Sequence, residues 1–512
     1  VFRSSASLIA VCEYCRSTLV RTDADVKRIG KMSDPVEDGS PLQCLAQGNY
    51  QGRHFTLIGR IQCRYSDGMW NEWHALFDDQ SSGWLSEASG DYVFTLPQST
   101  RNVVPSFESF QLGQKVGVAN QSFSAVSKRE ARVVAGEGEL PFLVNEGYDI
   151  RVIDLRSAQD FLTLDYSDVA PTDPQQLAQQ PALRPHKPAS PAIYLGRAVS
   201  LSELKMSGLK TRAAGNTKAV RFSCPGCGTS LEIKSSGAVN VACGSCASVV
   251  DVTGETYQVV AQYKDQRKHE PLIPLGSQGR LSGISYEVIG YMRRSCRVED
   301  EYLEWEEYLL YQANAGFHWL VFSEDKWSLC KPLRGMPEVK AGILHPSAKY
   351  LGKVYSWYCD YAAQVEYVLG EFYWQIRVGD NVEVTEYLQG TNNLVEERNQ
   401  EEINWTLSQF VPAQNIVQAF KLDKTLHEGA AMGRNQPNLS WAETRELWSL
   451  WSVFAMIGLF IWINFEGSFN SFLVELAVLG VIPGGAMLLS SGNEYRRWNG
   501  SFSSSESDDG NP

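Results

Sequence analysis

Residues 224–246 read CPGCGTSLEIKSSGAVNVACGSC, and residues 2–15 read FRSSASLIAVCEYC. The first stretch holds two C-x-x-C pairs, Cys224/Cys227 and Cys243/Cys246, and the second holds one, Cys12/Cys15. Sliding the chain by 243 − 12 = 231 positions lays Cys12 on Cys243 and Ser4-Ser5 on Ser235-Ser236. The same shift lays GRHFTLIG (Gly52–Gly59) on GISYEVIG (Gly283–Gly290). Then the offset grows to 304 − 69 = 235, and MWNEW (Met69–Trp73) falls on EWEEY (Glu304–Tyr308). GWL (Gly83–Leu85) falls on HWL (His318–Leu320), and GELPF (Gly138–Phe142) on GEFYW (Gly370–Trp374). The chain therefore reads as a tandem duplication, each copy a cysteine-pair element followed by a β-rich element.

The spacing C-x2-C-x15-C-x2-C suits a structural zinc ion. Each pair makes a tight knuckle, and four soft thiolates without histidine leave no open position for a catalytic water. LEIKSS and VNVAC are expected to be the two strands of the hairpin between the knuckles, with SGA as its turn. Cys224, Cys227, Cys243 and Cys246 are thus the expected metal ligands. In the first copy the positions equivalent to Cys224 and Cys227 fall ahead of Val1, so Cys12 and Cys15 read as the second half of a ribbon whose first half precedes this sequence. The rival reading is a degenerate ribbon with Cys12/Cys15 as a redox pair, although no βαβ pattern flanks the motif. The other cysteines (Cys44, Cys63, Cys296, Cys330 and Cys359) read as buried, inert thiols in a reducing compartment.

With 512 residues the chain is too long for one core. Its 14 Trp and 22 Tyr, with 21% charged residues, favour β-rich packing. A net charge of 46 − 59 = −13 argues against a phosphate backbone as the main partner. Alternating runs such as FTLIGRIQCRY and YEVIGYMRRSC read as half-buried antiparallel strands. The expected fold is mainly β: tandem zinc-ribbon plus small β-barrel or rolled-sheet modules, with a C-terminal two-helix transmembrane hairpin.

The expected boundaries are a truncated ribbon at 1–30, a first β module at 45–166 and a Pro/Gln-rich linker at 167–192. The end of the first module and a basic connector follow at 193–220, then the complete ribbon at 221–255 and the second β module at 270–426. A linker at 427–439 leads to the hairpin at 440–492 and a disordered acidic tail at 493–512.

The hairpin expectation rests on two apolar runs. LWSLWSVFAMIGLFIWI (Leu447–Ile463) carries no charge, and FLVELAVLGVIPGGAMLLSS (Phe472–Ser491) runs back after a short turn. Trp448, Trp451 and Trp462 lie near the ends of the first run, as in an aromatic belt, and Arg445 and Arg496-Arg497 put both flanks on the cytoplasmic side. Glu475 lies within one turn of the second run's start, where headgroup water is in reach.

No phosphate-loop, nucleophile-elbow, zinc-protease or dinucleotide signature occurs, so no catalytic residue is assigned. Glu72 in WNEW and Glu307 in WEEY occupy equivalent positions, and a carboxylate among aromatics can serve as an acid or base. Strand alternation opposes that reading, placing Trp70, Glu72 and His74 on one face and Asn71 and Trp73 on the other. The run Lys205, Lys210, Arg212, Lys218 and Arg221 offers a nucleic-acid surface beside the ribbon, but no aromatic series interleaves it and a solvated linker explains it.

VCEYCRS, YQGRHFTLIGRI, DGMWNEWHALFDD and GEGELPF, with GISYEVIGY, WEEYLLY and GEFYWQIRVGD in the second copy, resemble the bacterial family catalogued as domain of unknown function 4178. The resemblance runs from Val1 to about Leu422 and supplies no catalytic residues. It implies a bacterial protein acting near the membrane, in envelope-stress or defence gene neighbourhoods. In similar proteins a CPxCG motif precedes the FRSPAS-like run.

Together these readings lead to a non-enzymatic scaffold or adaptor at the bacterial inner membrane, multi-pass, with its N-terminal region and tail cytoplasmic. It would present two zinc-stapled modules to an unidentified protein partner. The alternatives are an enzyme or accessory subunit using Glu72/Glu307 clefts, and a nucleic-acid-binding ribbon protein.

Overall fold

The computed structural model describes residues 3–4, 7, 9–11, 17–21, 26–31, 40–99, 104–142, 147–167, 190–210, 220–235, 238–253, 256–263, 269–298, 301–312, 315–342 and 345–422. Cys12, Cys15 and the apolar runs of 440–492 lie outside them. Among the described residues no helix is long and apolar enough to cross a membrane.

The chain is mainly β, with two eight-stranded antiparallel barrels in tandem. The first runs Arg53–Tyr65, Gly68–Phe77, Ser82–Ala88, Asp91–Gln98, Ala192–Val199, Asp160–Asp165, Tyr148–Arg156 and Gln121–Leu140. Pairing of Ala135–Gly138 with Gly59–Gln62 closes the ring. The second repeats that order: Ile284–Val298, Glu301–Gln312, Gly316–Ser323, Lys326–Pro332, Ile403–Val411, Asn392–Arg398, Asn381–Gln389 and Lys353–Phe372. Gly290–Cys296 closes it against Ala363–Gly370. Closure removes the exposed hydrogen-bonding edge that an open sheet presents.

Closing each ring brings two backbones together at a bulge, and that contact selects glycine. A Cβ on Gly59 would stand 2.1 Å from the Glu139 carbonyl oxygen, and one on Gly290 would stand 2.4 Å from that of Glu371. These are the glycines that end GRHFTLIG and GISYEVIG, so the repeat marks the seams of both barrels.

Each barrel wall is covered on parts of its outer surface. In the first copy Tyr50, Leu42, Leu204 and Met206 pack over Phe55, Trp73, Leu85 and Phe94. In the second, the helix Ala413–Phe420 lays Ile416 and Phe420 on Tyr291, Tyr308, Leu320 and Trp327. Pro412 precedes that helix, where its missing N–H costs nothing.

The Pro/Gln-rich stretch lies within the first copy: Ala192–Val199, beyond it, pairs with Asp160–Asp165 on one side and Asp91–Gln98 on the other. The stretch is therefore an insertion within the first barrel, where the second has the turn between Arg398 and Ile403. Composition showed that it would not build a core, but strand order lies in pairings that composition does not carry. The basic run is also divided. Lys205 and Lys210 belong to a segment folded onto the first barrel beside Leu204, Met206 and Leu209, whereas Arg221 is ion-paired with Glu232 at 3.3 Å. Arg212 and Lys218 lie outside the described residues.

Candidate metal centre

The complete ribbon is built from two hairpins, each with a cysteine pair at its tip. Val220–Ser223 pairs with Ser230–Ile233 around Cys224 and Cys227, and Asn240–Ala242 pairs with Ser248–Asp251 around Cys243 and Cys246. This corrects the expectation of one hairpin between the pairs. Residues on either side of each knuckle bond to each other, and Asn240–Ala242 gives its other edge to Gly370–Phe372 of the second barrel. The ribbon is stitched into the barrel wall.

The knuckles are near-copies. Gly228 N donates to Cys224 O at 2.8 Å and Ala247 N to Cys243 O at 2.9 Å. Cys224 N donates to Thr229 O, and Cys243 N to Ser248 O, both at 2.8 Å. These bonds turn the two thiols of each pair to the same side. The four Sγ atoms lie within 4.8 Å of one another, with Cys224–Cys246 and Cys227–Cys243 at 3.8 Å. A disulfide needs about 2.05 Å between sulfurs, whereas a tetrahedron with zinc–sulfur bonds of about 2.3 Å has edges of about 3.8 Å. The donor set fits zinc in both chemistry and spacing.

Hydroxyl groups support this arrangement. Thr229 Oγ1 lies 3.3 Å from Cys227 Sγ and Ser248 Oγ lies 3.2 Å from Cys246 Sγ, placed to donate to thiolates. Hydrogen bonding from Thr229 brings the Cys227 thiol down to about 6, while burial pushes Cys243 up to about 12. A dication compensates clustered thiolates of this kind. Behind them Val241, Val250 and Val252 pack with Phe222 and Tyr257 in a small core of the ribbon's own.

One acid in each copy, which motif reading missed, binds the backbone of the serine turn ahead of the cysteine pair. Glu371 accepts hydrogen bonds from Lys234 N at 2.7 Å and Ser235 N at 2.8 Å. Glu139 accepts from Arg3 N at 2.8 Å and Ser4 N at 3.2 Å. The signal was present in the sequence, since GELPF and GEFYW align these two acids, but a carboxylate that binds backbone has no motif.

Glu72 and Glu307 face the barrel interiors. Trp70 Nε1 and Ser86 Oγ donate to Glu72 at 2.9 and 2.7 Å, and burial pushes its carboxyl up to about 7. Trp305 Nε1 donates to Glu307 at 2.6 Å, and Arg294 bridges Glu307 at 3.1 Å and Glu397 at 2.6 Å. Arg294 and Glu397 stand on non-neighbouring staves, so this bridge crosses the interior. The expected alternation holds: Glu72 and His74 look inward with Trp70, while Asn71 and Trp73 donate outside to Glu87 at 3.2 and 2.9 Å. Of the five remaining cysteines, Cys63, Cys296 and Cys330 are buried, and Cys44 and Cys359 are half-buried. Burial holds the Cys63 thiol well above its ordinary value and pushes Cys330 up to about 12.

Fold and site together define a tandem eight-stranded barrel protein with a four-cysteine cage joined to its second barrel. The chain belongs to the family described as Domain of unknown function (DUF4178), whose profile matches twice, at residues 46–173 and 274–413. The two matches fall on the two barrels and support the duplication. No curated protein matches the chain. A solved structure, the LG1-3 region of the laminin alpha2 chain, is 8% identical, covering 75% of this chain and 56% of that one. The chain thus spans little more than half that chain's length, with a TM-score of 0.08.

Proposed function

We propose that the protein is a non-enzymatic scaffold in which zinc at Cys224, Cys227, Cys243 and Cys246 fixes a ribbon to a barrel wall. The observation that carries this reading is the closed cage: four thiolates would fill a tetrahedron and leave no position for substrate or water. By the repeat, Cys12 and Cys15 supply half of a second such cage. Glu72 and Glu307 serve the barrels, their oxygens engaged by groups of their own walls.

In the same proposal, residues 440–492 form a helical hairpin that holds the modules at the cytoplasmic face of a bacterial inner membrane, where they meet a protein partner. Support comes from the two apolar runs and their tryptophan and arginine flanks. Two modules on one anchor raise the effective concentration for a partner that touches both. The test is capture of partners from native membranes with the full chain. A scaffold keeps the same partner when Glu72→Gln and Glu307→Gln are introduced, and pellets with carbonate-washed membranes. Loss of the partner in those variants, or release of the chain by carbonate, contradicts the reading.

A further inference from the structure

An eight-stranded barrel has an interior just wide enough to be filled by side chains or to hold one small ligand. Residues opposed across antiparallel strands share a face. The inward face of His74 therefore continues through Trp84, Thr95, Gly196 and Phe161, and Thr163, Asp165 and Asp154 also look inward. On these staves the outward side chains are the dry ones: Trp73, Leu85, Phe94, Leu155 and Leu162 are each 0% exposed. The inward Trp70, Glu72, Trp84, Ser86, Asp154 and Thr163 are only half-buried. Ile61, Cys63 and Val133 pack the other side of the interior. Space thus remains along the polar side of the first barrel.

The second barrel shows what fits such a space. Trp305 and Glu307 stand where the first barrel has Trp70 and Glu72, and Glu397 stands where it has Asp165. Arg294 occupies the room between them, its guanidinium carbon 5.7 Å from the Trp305 ring and its Nη1 bonded to both acids. Glu307 is then 6% exposed. In the first barrel the arginine's place is taken by Cys63, which is short, and burial keeps its thiol protonated. The charges of Asp154 and Asp165 reach Glu72, whereas Arg129 is paired with Glu402 and Arg156 donates to Leu333 O at 3.3 Å. A further acceptor faces the same interior. His74 is 1% exposed, and its Nδ1 donates to Glu139 O at 3.1 Å, which leaves Nε2 a buried acceptor without a partner. These acids do not converge on one point: among the described residues only the four-cysteine cage is tight enough for a metal ion. The matching cation is therefore an extended one that carries several N–H donors.

We propose that the interior of the first barrel binds a small guanidinium compound in the place that Arg294 holds in the second. Its plane lies against Trp70, and Glu72 and Asp165 accept its N–H groups, as Trp305, Glu307 and Glu397 do for the arginine. This site goes beyond the scaffold reading and does not depend on it.

The test is isothermal titration calorimetry of the full chain with ethylguanidinium, and with ethylurea as a neutral compound of the same shape. Physiological salt screens loose attraction to the acidic surface, and pH 8 keeps Glu72 ionised. The expected result is one saturable site that prefers ethylguanidinium by about tenfold or more, and that Glu72→Gln weakens by about tenfold. Cys63→Arg supplies the guanidinium from the wall, as the second barrel does, and should abolish binding. Its circular dichroism and zinc content show whether it is folded, and Glu72→Gln decides the matter if it is not. Absence of a saturable site for ethylguanidinium overturns the proposal. So does equal binding of ethylurea, or undiminished binding in either folded variant.

Discussion

Glu139 and Glu371 stand at the same point of the two copies, one residue after a left-handed glycine, and each binds the backbone of the serine turn that leads to a cysteine pair. Both are buried, and 371 − 139 = 232 matches the offset of the barrels. A carboxylate holding two amides is repeated with the fold, and in the second copy it is the hinge pin between ribbon and barrel.

Removing that pin should be felt at once. Glu371→Ala leaves Lys234 N and Ser235 N without their acceptor, and a loss of about 2–4 kcal/mol is expected from hydrogen bonds to a charged group. Glu371→Gln, which keeps one acceptor oxygen, should cost less. Urea midpoints give the size of the effect, and faster amide exchange at Lys234 and Ser235 gives its location.

Zinc analysis addresses the cage. Cys227→Ala or Cys243→Ala should each remove the ion held by the four cysteines, since structural zinc contributes an apparent binding energy of about 10–16 kcal/mol that a three-ligand site cannot retain. Chelation should make residues 220–251 sensitive to protease while the barrels persist, because the ribbon's core of Val241, Val250 and Val252 is separate from theirs. Equal zinc content in wild type and both variants would exclude the site.

Arg294 supports a different prediction. It is 6% exposed and binds Glu307 and Glu397 across the second barrel's interior. Arg294→Met strands two carboxylates and should cost about 3–5 kcal/mol. Adding Glu307→Gln and Glu397→Gln should restore much of that loss, because the uncompensated charge is then gone. Chemical denaturation of the single and triple variants decides it.

The first barrel has Cys63 at that position, and its acids lack this arginine. Glu72, raised by burial to about 7 from 4.5, therefore keeps its proton in the folded state at pH values where the unfolded chain has released it. Its contribution is most favourable near and below pH 4.5, declines as pH rises to about 7, and is constant above. Glu72→Gln should flatten that decline, seen as a smaller difference between urea midpoints at pH 5 and pH 8.

Much of this was legible because duplication leaves a second reading of each important residue. The shift of 231 found the seam glycines Gly59 and Gly290, and the cysteine spacing found the cage. Alternation told which neighbours share a face with Glu72, since period two is a property of the strand itself, but not that this face turns into the barrel. What it could not tell is which strands meet. That Ser230–Ile233 pairs backwards to Val220–Ser223, or that Ala192–Val199 closes the first barrel, depends on partners far away or behind, and local pattern is the same either way. Glu371 and Arg294 escaped for a related reason: each acts on groups brought near only by closure.

The strand Ala192–Val199 also sets how this protein comes apart. It is a stave held by hydrogen bonds on both flanks and supplied from beyond the inserted stretch. A single nick anywhere in 168–189 would thus cut the polypeptide into two fragments that stay locked as one body, separable on a denaturing gel and not on a native one. By the same logic a recombinant piece ending at residue 173, where the family match stops, is a cask short of a stave, and its open sides would seek strands from its neighbours.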